Sequence, residues 1–459
     1  MKIPELLSPA GTYKNMQYAF AYGADAVYAG QPRYSLRVRN NDFTLDNLKK
    51  GITEAHRLGK KFFVASNLMP HNAKLKTYLA DMEPVVAMNP DALIMADPGL
   101  IMMVRERWPE QTIHLSVQAN TVNYAAVKFW QSVGVERVIL SRELSLDEIE
   151  EIKQQCPDME LEVFVHGALC IAYSGRCLLS GYFNHRDPNQ GTCTNSCRWE
   201  YGVHKGEEND AGDIVKAQSP GEGLSAHVEM GKEVGKIEQP VMFNPAVDKT
   251  SDEIVLIEEA NRPGELMPMY EDEHGTYIMN SKDLRAIQHV QRLAQIGVDS
   301  LKIEGRTKSH YYTARTAQIY RQAIDDAVQG KEFNMGLMHT LDGLANRGYT
   351  EGFYRRHVPE DYQNYTQGNS ISTKQKFVGE VMSDESKDGI LAIDVKNKFA
   401  VGDSVELMYP GGSTHFVIGE MHDFNGNVMD VAKGSGHKVK IKSPIEGGAA
   451  LGLLMINME

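Results

Sequence analysis

Four of the five cysteines in this chain, Cys170, Cys177, Cys193 and Cys197, fall within residues 162–200, with six, fifteen and three residues between successive members. Thiols that only fill a core scatter through a sequence, whereas thiols gathered in one loop are ligands, nucleophiles or a disulfide framework. Residues 1–10 carry neither the basic nor the apolar segment of an export signal, and no apolar run reaches the roughly 18 residues that cross a bilayer. A cytoplasmic location away from membranes is therefore expected, and there clustered thiolates bind metal more often than they form disulfides. Zinc knuckles favour two close cysteine pairs, and only Cys193 and Cys197 are that close. An iron–sulfur core accepts wider spacing, so on spacing alone both metals stay open. His166 and Cys170, four apart, could instead pair a thiol nucleophile with its base, but a thiolate committed to a metal cannot also attack a carbonyl. Cys156, in KQQCPDME, reads as a bystander at a helix end.

Other polar residues stand where short apolar runs end: Asn67, Asp97, Gln118, Asn120, Arg142, Glu143, His166, Glu304 and Arg306. Loops are wet, so many of these need do nothing more than end a strand. Lys438, Lys440 and Lys442 alternate with Val439 and Ile441, which puts three ammonium groups on one face of a strand. Such a stripe either reads RNA phosphates or guards a solvated edge strand. Arg355, Arg356 and His357, beside Tyr349, Phe353 and Tyr354, could stack bases or simply end a helix. The common hydrolase and nucleotide signatures H-E-x-x-H, G-x-S-x-G and the P-loop are absent from the sequence.

The elements that must position these groups follow a repeating pattern. Eight near-continuously apolar runs, LLSPA, AVYAG, KFFVASN, ALIMADP, IHLSVQ, RVILSRE, LEVFVHG and SLKIEG, read as strands buried on both faces, each followed by a helix. Leu45, Leu48, Ile52, Ala55 and Leu58 mark one face of a helix over 45–58, opened by Thr44 and stopped by Gly59. Ser145 and Glu148 form a capping box, and Ser281 is expected to open a helix that turns Leu284, Ile287, Val290 and Leu293 inward until Gly297. Eight such units predict a TIM-type (β/α)8 barrel, with a doubly wound open sheet as the rival. The barrel would occupy residues 1–330, with a cysteine loop at 167–200 above its C-terminal mouth and an insertion at 201–280. Within that insertion, 205–236 reads as a mobile segment and 240–279 as an antiparallel excursion. A connecting segment, 331–373, then leads to a small β-barrel domain at 374–459.

Composition narrows the function classes. Hydrophobic content of 42%, charged content of 24% and a net charge of −13 describe an ordinary globular protein and exclude a general nucleic-acid coat, leaving room only for a local basic patch.

The run EVFVHGALCIAYSGRCLLSG resembles the signature of the collagenase-like peptidase family of unknown catalytic type, and PELLSPAG, GADAVYAG, SLKIEGRTKSHYY and NRGYTEGFYRR extend the resemblance over nearly the whole chain. The members most like this chain imply prephenate-dependent conversion of the tRNA wobble uridine to 5-hydroxyuridine, the first step towards 5-carboxymethoxyuridine. Other members act on ribosomal RNA or on ubiquinone precursors and carry a four-iron cluster on four cysteines. By that resemblance Cys170, Cys177, Cys193 and Cys197 would hold a 4Fe-4S cluster rather than zinc, with Cys197 the most variable position. Prephenate is a dicarboxylate, so Arg142, Arg176 and Arg306 are its expected fork, Glu162 and Glu304 are candidate proton carriers or structural counterions, and His166 is a further catalytic candidate. The implied partners are tRNA and an electron donor. A peptidase, the activity of the family name, and a zinc-stapled RNA-binding module are the alternatives.

Overall fold

A computed structural model of the chain describes residues 2–35, 42–168, 282–346, 348–355, 375–387, 389–446 and 449–458, together with the backbone of strands at 201–208, 214–216, 255–259, 266–272 and 275–278. Eight parallel strands close into a barrel: β1 (Glu5–Pro9), β2 (Ala26–Gly30), β3 (Lys61–Ser66), β4 (Ala92–Met95), β5 (Ile113–Leu115), β6 (Arg137–Ile139), β7 (Glu160–Ala168) and β8 (Ser300–Ile303). Closure is made by β8, which pairs with β1 through Glu5 and Ser300 and with β7 through Ser300 and Glu162. All eight predicted strands are present, and the open-sheet alternative falls.

A helix follows each strand: α1 (Tyr13–Ala21), α2 (Leu45–Arg57), α3 (Asn72–Val86), α4 (Pro98–Arg107), α5 (Tyr124–Ser132), α6 (Leu146–Gln155), α7 (Val290–Ile296) and α8 (His310–Val328). Thr44 caps α2 by accepting from the Asn47 amide, and the capping box of Ser145 and Glu148 forms as expected. Leu48, Ile52 and Ala55 are buried, but Leu45 and Leu58, at the helix ends, are exposed. The helix predicted from Ser281 starts only at Val290. Asp283–Arg285 is a short strand that pairs antiparallel with His166–Ala168, and Leu284 is buried there instead of on a helix face.

The insertion forms a five-stranded antiparallel sheet. Tyr201–Glu208 and Ile214–Lys216 belong to it beside Val255–Glu259, so part of the segment expected to be mobile is paired strand. The expected C-terminal β domain is a curled antiparallel sheet of seven strands, ordered Gly412–Val417, Ser404–Tyr409, Leu453–Asn457, Gln375–Val381, Ile390–Val395, Lys438–Lys442 and Met421–Asp423. One face encloses its own core of Val378, Leu391, Ile393, Leu407, Val439 and Leu454. On the other face Met408, Leu453 and Met455 join the main barrel core, beside a buried fork of Arg315 on Glu406.

Candidate active site at the barrel mouth

The site is assembled around the turn that leaves β8, Glu304–Gly305–Arg306. Glycines from three strands allow it to lie so close. A Cβ at Gly11 would meet the Arg306 carbonyl oxygen at 1.9 Å, and one at Gly167 would meet the Glu304 carbonyl oxygen at 2.3 Å. At Gly30 a methyl would press on the Ser35 hydroxyl and on Arg306 Nη1, at 2.7 and 2.9 Å. Gly167 and Gly305 also adopt φ of +100° and +148°, which side-chain-bearing residues rarely reach. The register of β8 against β7 shifts at Lys302/Ile303, where β7 carries the extra residue Val165, a bulge that bends the end of β7.

Two aromatic rings and three cations line the floor of this mouth. Lys302 Nζ lies 4.3 Å from the Tyr28 ring centre and 5.4 Å from that of Phe164. Arg306 packs on the same Tyr28 ring at 5.6 Å and Arg142 on the same Phe164 ring at 3.8 Å, so each ring meets Lys302 and one arginine. The Tyr28 hydroxyl contacts the Ile303 carbonyl oxygen and Glu304 Oε2, both at 3.1 Å. Arg142 approaches Glu304 Oε2 at 3.9 Å, and Arg306 donates to Ser35 Oγ at 2.8 Å. Burial lowers the affinity of Lys302 for its proton, and Glu162 and Glu304 only partly restore it. Such a cluster, in which Arg142 and Arg306 stand beside Glu304 above the Lys302–Glu162 pair, can orient a planar substrate and bind a carboxylate in a site shielded from bulk water.

Beneath the mouth the barrel interior is charged where branched apolar residues are usual. Glu162, expected to be a proton carrier, lies fully buried between Lys302 at 2.9 Å and Arg137 at 3.2 Å, and so takes its alternative role of counterion. Arg137 reaches Glu5 and Glu160 at 2.6 and 2.7 Å. Burial opposes the charge of Glu5, yet Arg137 and Lys61 hold its carboxyl below the usual range. Sequence reasoning missed Lys302 and Arg137. Their signal was a charge inside a strand otherwise apolar on both faces.

His166 departs from its expected place. Its ring is buried between Tyr312, Tyr320 and Tyr349, all within 5.8 Å, and these come from α8 and the strand Tyr349–Thr350 outside the barrel wall. Burial first, then Arg285 and Lys308, push its pKa down to about 3, so the imidazole is neutral and faces packing residues instead of the mouth. Asp97 is the N-cap of α4, accepting from the Leu100 amide, and Asn67 reaches Ser116 Oγ. Gln118 and Asn120 lie in and just after a short 3-10 turn after β5. Glu143 takes a hydrogen bond from Ser141. Cys156 is buried at the end of α6. Tyr354 bonds the Phe164 carbonyl and Tyr349 the Leu341 carbonyl, so neither hydroxyl is offered to a base.

Cys170, Cys177, Cys193, Cys197 and Arg176, like Arg356 and His357, lie outside the described residues. β7 delivers the chain to Ala168, at the same end of the barrel as Glu304 and Arg306. Four thiolates are a donor set suited to either an iron–sulfur cluster or zinc.

Family models described as peptidase family U32 and peptidase family U32 C-terminal domain match residues 11–364 and 373–451. The chain is 62% identical over 454 residues to a protein of Escherichia coli named tRNA hydroxylation protein P, covering 99% of this chain and 97% of that one. It is 59% identical to the protein of the same name from Haemophilus influenzae, over 99% and 96%. A Porphyromonas gingivalis protein named collagenase is 25% identical, over 95% and 94%.

Proposed function

Because the chain belongs to peptidase family U32, we propose that it is a tRNA-hydroxylating enzyme that converts the wobble uridine to 5-hydroxyuridine with prephenate as co-substrate. The names of its close relatives support the tRNA hydroxylation role. The observation that carries the co-substrate is the grouping of Arg142, Lys302 and Arg306 over Tyr28 and Phe164, which suits a compact dicarboxylate with an unsaturated ring. Arg142 and Arg306 would each hold a carboxylate, Lys302, balanced by Glu162, would seat the rings of Tyr28 and Phe164 beneath them, and Glu304, fixed by Tyr28, would accept or return a proton at the rim. Cys170, Cys177, Cys193 and Cys197 would hold a 4Fe-4S cluster, which when bound supplies electron transfer, served by an external donor. The uridine would enter unstacked, since C5 of a base is poorly accessible inside a stack.

The peptidase reading draws less support. A Cys170 nucleophile would need His166 as its base, and that ring is enclosed by tyrosines, where burial makes it a poor proton acceptor. The test is mass spectrometry of tRNA nucleosides from cells whose only copy carries Cys170→Ala or Cys193→Ala, beside Arg306→Ala. Loss of 5-hydroxyuridine derivatives in all three is expected, and undiminished levels would reject the proposal. Iron and zinc analysis of anaerobically purified protein separates the cluster from the zinc alternative.

A further inference from the structure

The lysine row of the C-terminal sheet is not where an edge-guarding role would put it. Lys438–Lys442 is paired on both sides, with Ile390–Val395 and with Met421–Asp423. Lys438 and Lys442 are exposed and Lys440 half-buried, with Lys440 Nζ 4.8 Å from the centre of the exposed Phe424 ring. Among the described residues none of the three forms an ion pair. The nearest acid in register, Asp394, is already bound to Lys396 at 2.6 Å. In a chain of net charge −13, three aligned cations without counterions are a local reversal of sign.

Cross-strand registers fix which way this row faces, because partners in register share a face. Glu406 and Met408 stand opposite Met455 and Leu453, Leu453 opposite Glu380, Glu380 opposite Asp394, and Asp394 opposite Lys438. The lysines therefore lie on the same sheet face that docks against the barrel, beyond the docked strands. The contacts also give a direction. Along α8, Gln318 touches Gly412, Arg315 touches Glu406, Tyr311 stacks on Phe377, and His310, the first residue of the helix, approaches Glu380. Strand order thus climbs α8 toward its start, which is the mouth end of the barrel, and the lysine strand comes two places further on. Asp394 and Lys396, paired with each other at 2.6 Å, stand between them.

We propose that the row Lys438, Lys440 and Lys442, with Phe424 beside it, is the surface on which the sugar–phosphate backbone of the tRNA rests while one nucleotide is presented to the mouth. This rests on the tRNA reading above, and it answers how an acidic protein holds a polyanion. Phosphate contacts position an RNA without reading its sequence, so one surface can serve every tRNA with a wobble uridine.

The test is equilibrium binding of an unmodified tRNA transcript to the full chain across a salt series, comparing wild type with K438E/K440E/K442E. Each lost phosphate contact lowers the slope of log affinity against log salt by about 0.7–0.9, so the slope should fall by about two to three, with affinity near 0.1 M salt down on the order of 100-fold. A triple Lys→Gln variant, which adds no repulsion, should show the same loss of slope. K49E/R107E/K128E, on the outer helices of the barrel, changes net charge equally and should keep the wild-type slope. An unchanged slope in both lysine-row variants, or an equal loss in the barrel control, overturns the proposal. If nucleoside analysis finds hydroxylation while the slope is unmoved, only this surface falls. If the slope drops but no hydroxylation exists, the surface stands and the enzymatic reading falls.

Discussion

The contact between α8 and the C-terminal sheet includes one buried ion pair. Arg315 Nη1 and Nη2 donate to the two Glu406 oxygens at 2.9 and 2.7 Å, with side-chain exposures of 2% and 6%, and Gln375 adds a third donor at 2.6 Å. Glu406→Gln keeps the volume and one acceptor but leaves the guanidinium buried without its counter-charge. Two charge-assisted bonds at about 1.5–3 kcal/mol each, less the one that glutamine retains, plus desolvation of the stranded cation, give a loss of about 3–5 kcal/mol. The apolar double variant Arg315→Met/Glu406→Leu removes both charges and should recover most of it. Hydrogen exchange of amides in Ser404–Tyr409 and Gln375–Val381 reads this opening directly, while β1–β8 amides serve as reference. Burial opposes the ionised form of Glu406, but Arg315 holds its carboxyl below the usual range. The pair's contribution should accordingly be complete above about pH 4.3 and fade as the pH falls through the lower folded value. A Glu406→Gln loss under about 1 kcal/mol, or a double variant as unstable as the single, would refute the reasoning.

Three further outcomes follow from the barrel. From pH 6.5 down to about 3 the unfolded chain takes up a proton that folded His166 refuses; stability should drop by about 1.4 kcal/mol per unit there, and His166→Gln should flatten urea-unfolding curves measured across that window. Gly30→Ala places a methyl 2.9 Å from Arg306 Nη1, so under the proposed function the KM for prephenate should rise about tenfold with the melting temperature little changed, and an unaltered KM would count against the seat proposed for Arg306. Arg142→Lys keeps the charge but loses the planar fork over Phe164; a KM raised about 10- to 100-fold with kcat within a few-fold is expected from steady-state assays.

The barrel was legible because strands buried on both faces write themselves as short apolar runs, and each of the eight runs holds a strand, although β4, β5 and β6 stop three to four residues before their runs do. The Ser281 helix misled because Leu284, Ile287 and Val290 fit a helical period equally well, while the hydrogen bonds that decide the matter come from β7, more than 100 residues earlier. Arg306, Glu304 and Arg142 were readable as strand-end polar residues and do meet at the mouth. His166 has the same local signature, but a bulge and three tyrosines from distant segments turn it outward. Lys302 escaped because a lone lysine in SLKIEG looks like noise until its neighbours Tyr28 and Phe164 are known.

Leu453–Asn457, the latest strand of the C-terminal sheet to be synthesised, occupies an interior place between Ser404–Tyr409 and Gln375–Val381. A nascent chain that has emerged only through residue 442 therefore holds two half-sheets with raw inner edges, and a barrel flank still missing Leu453 and Met455. Those edges invite pairing with other chains. A chain cut after residue 442 should thus aggregate, which lost soluble yield and light scattering would register.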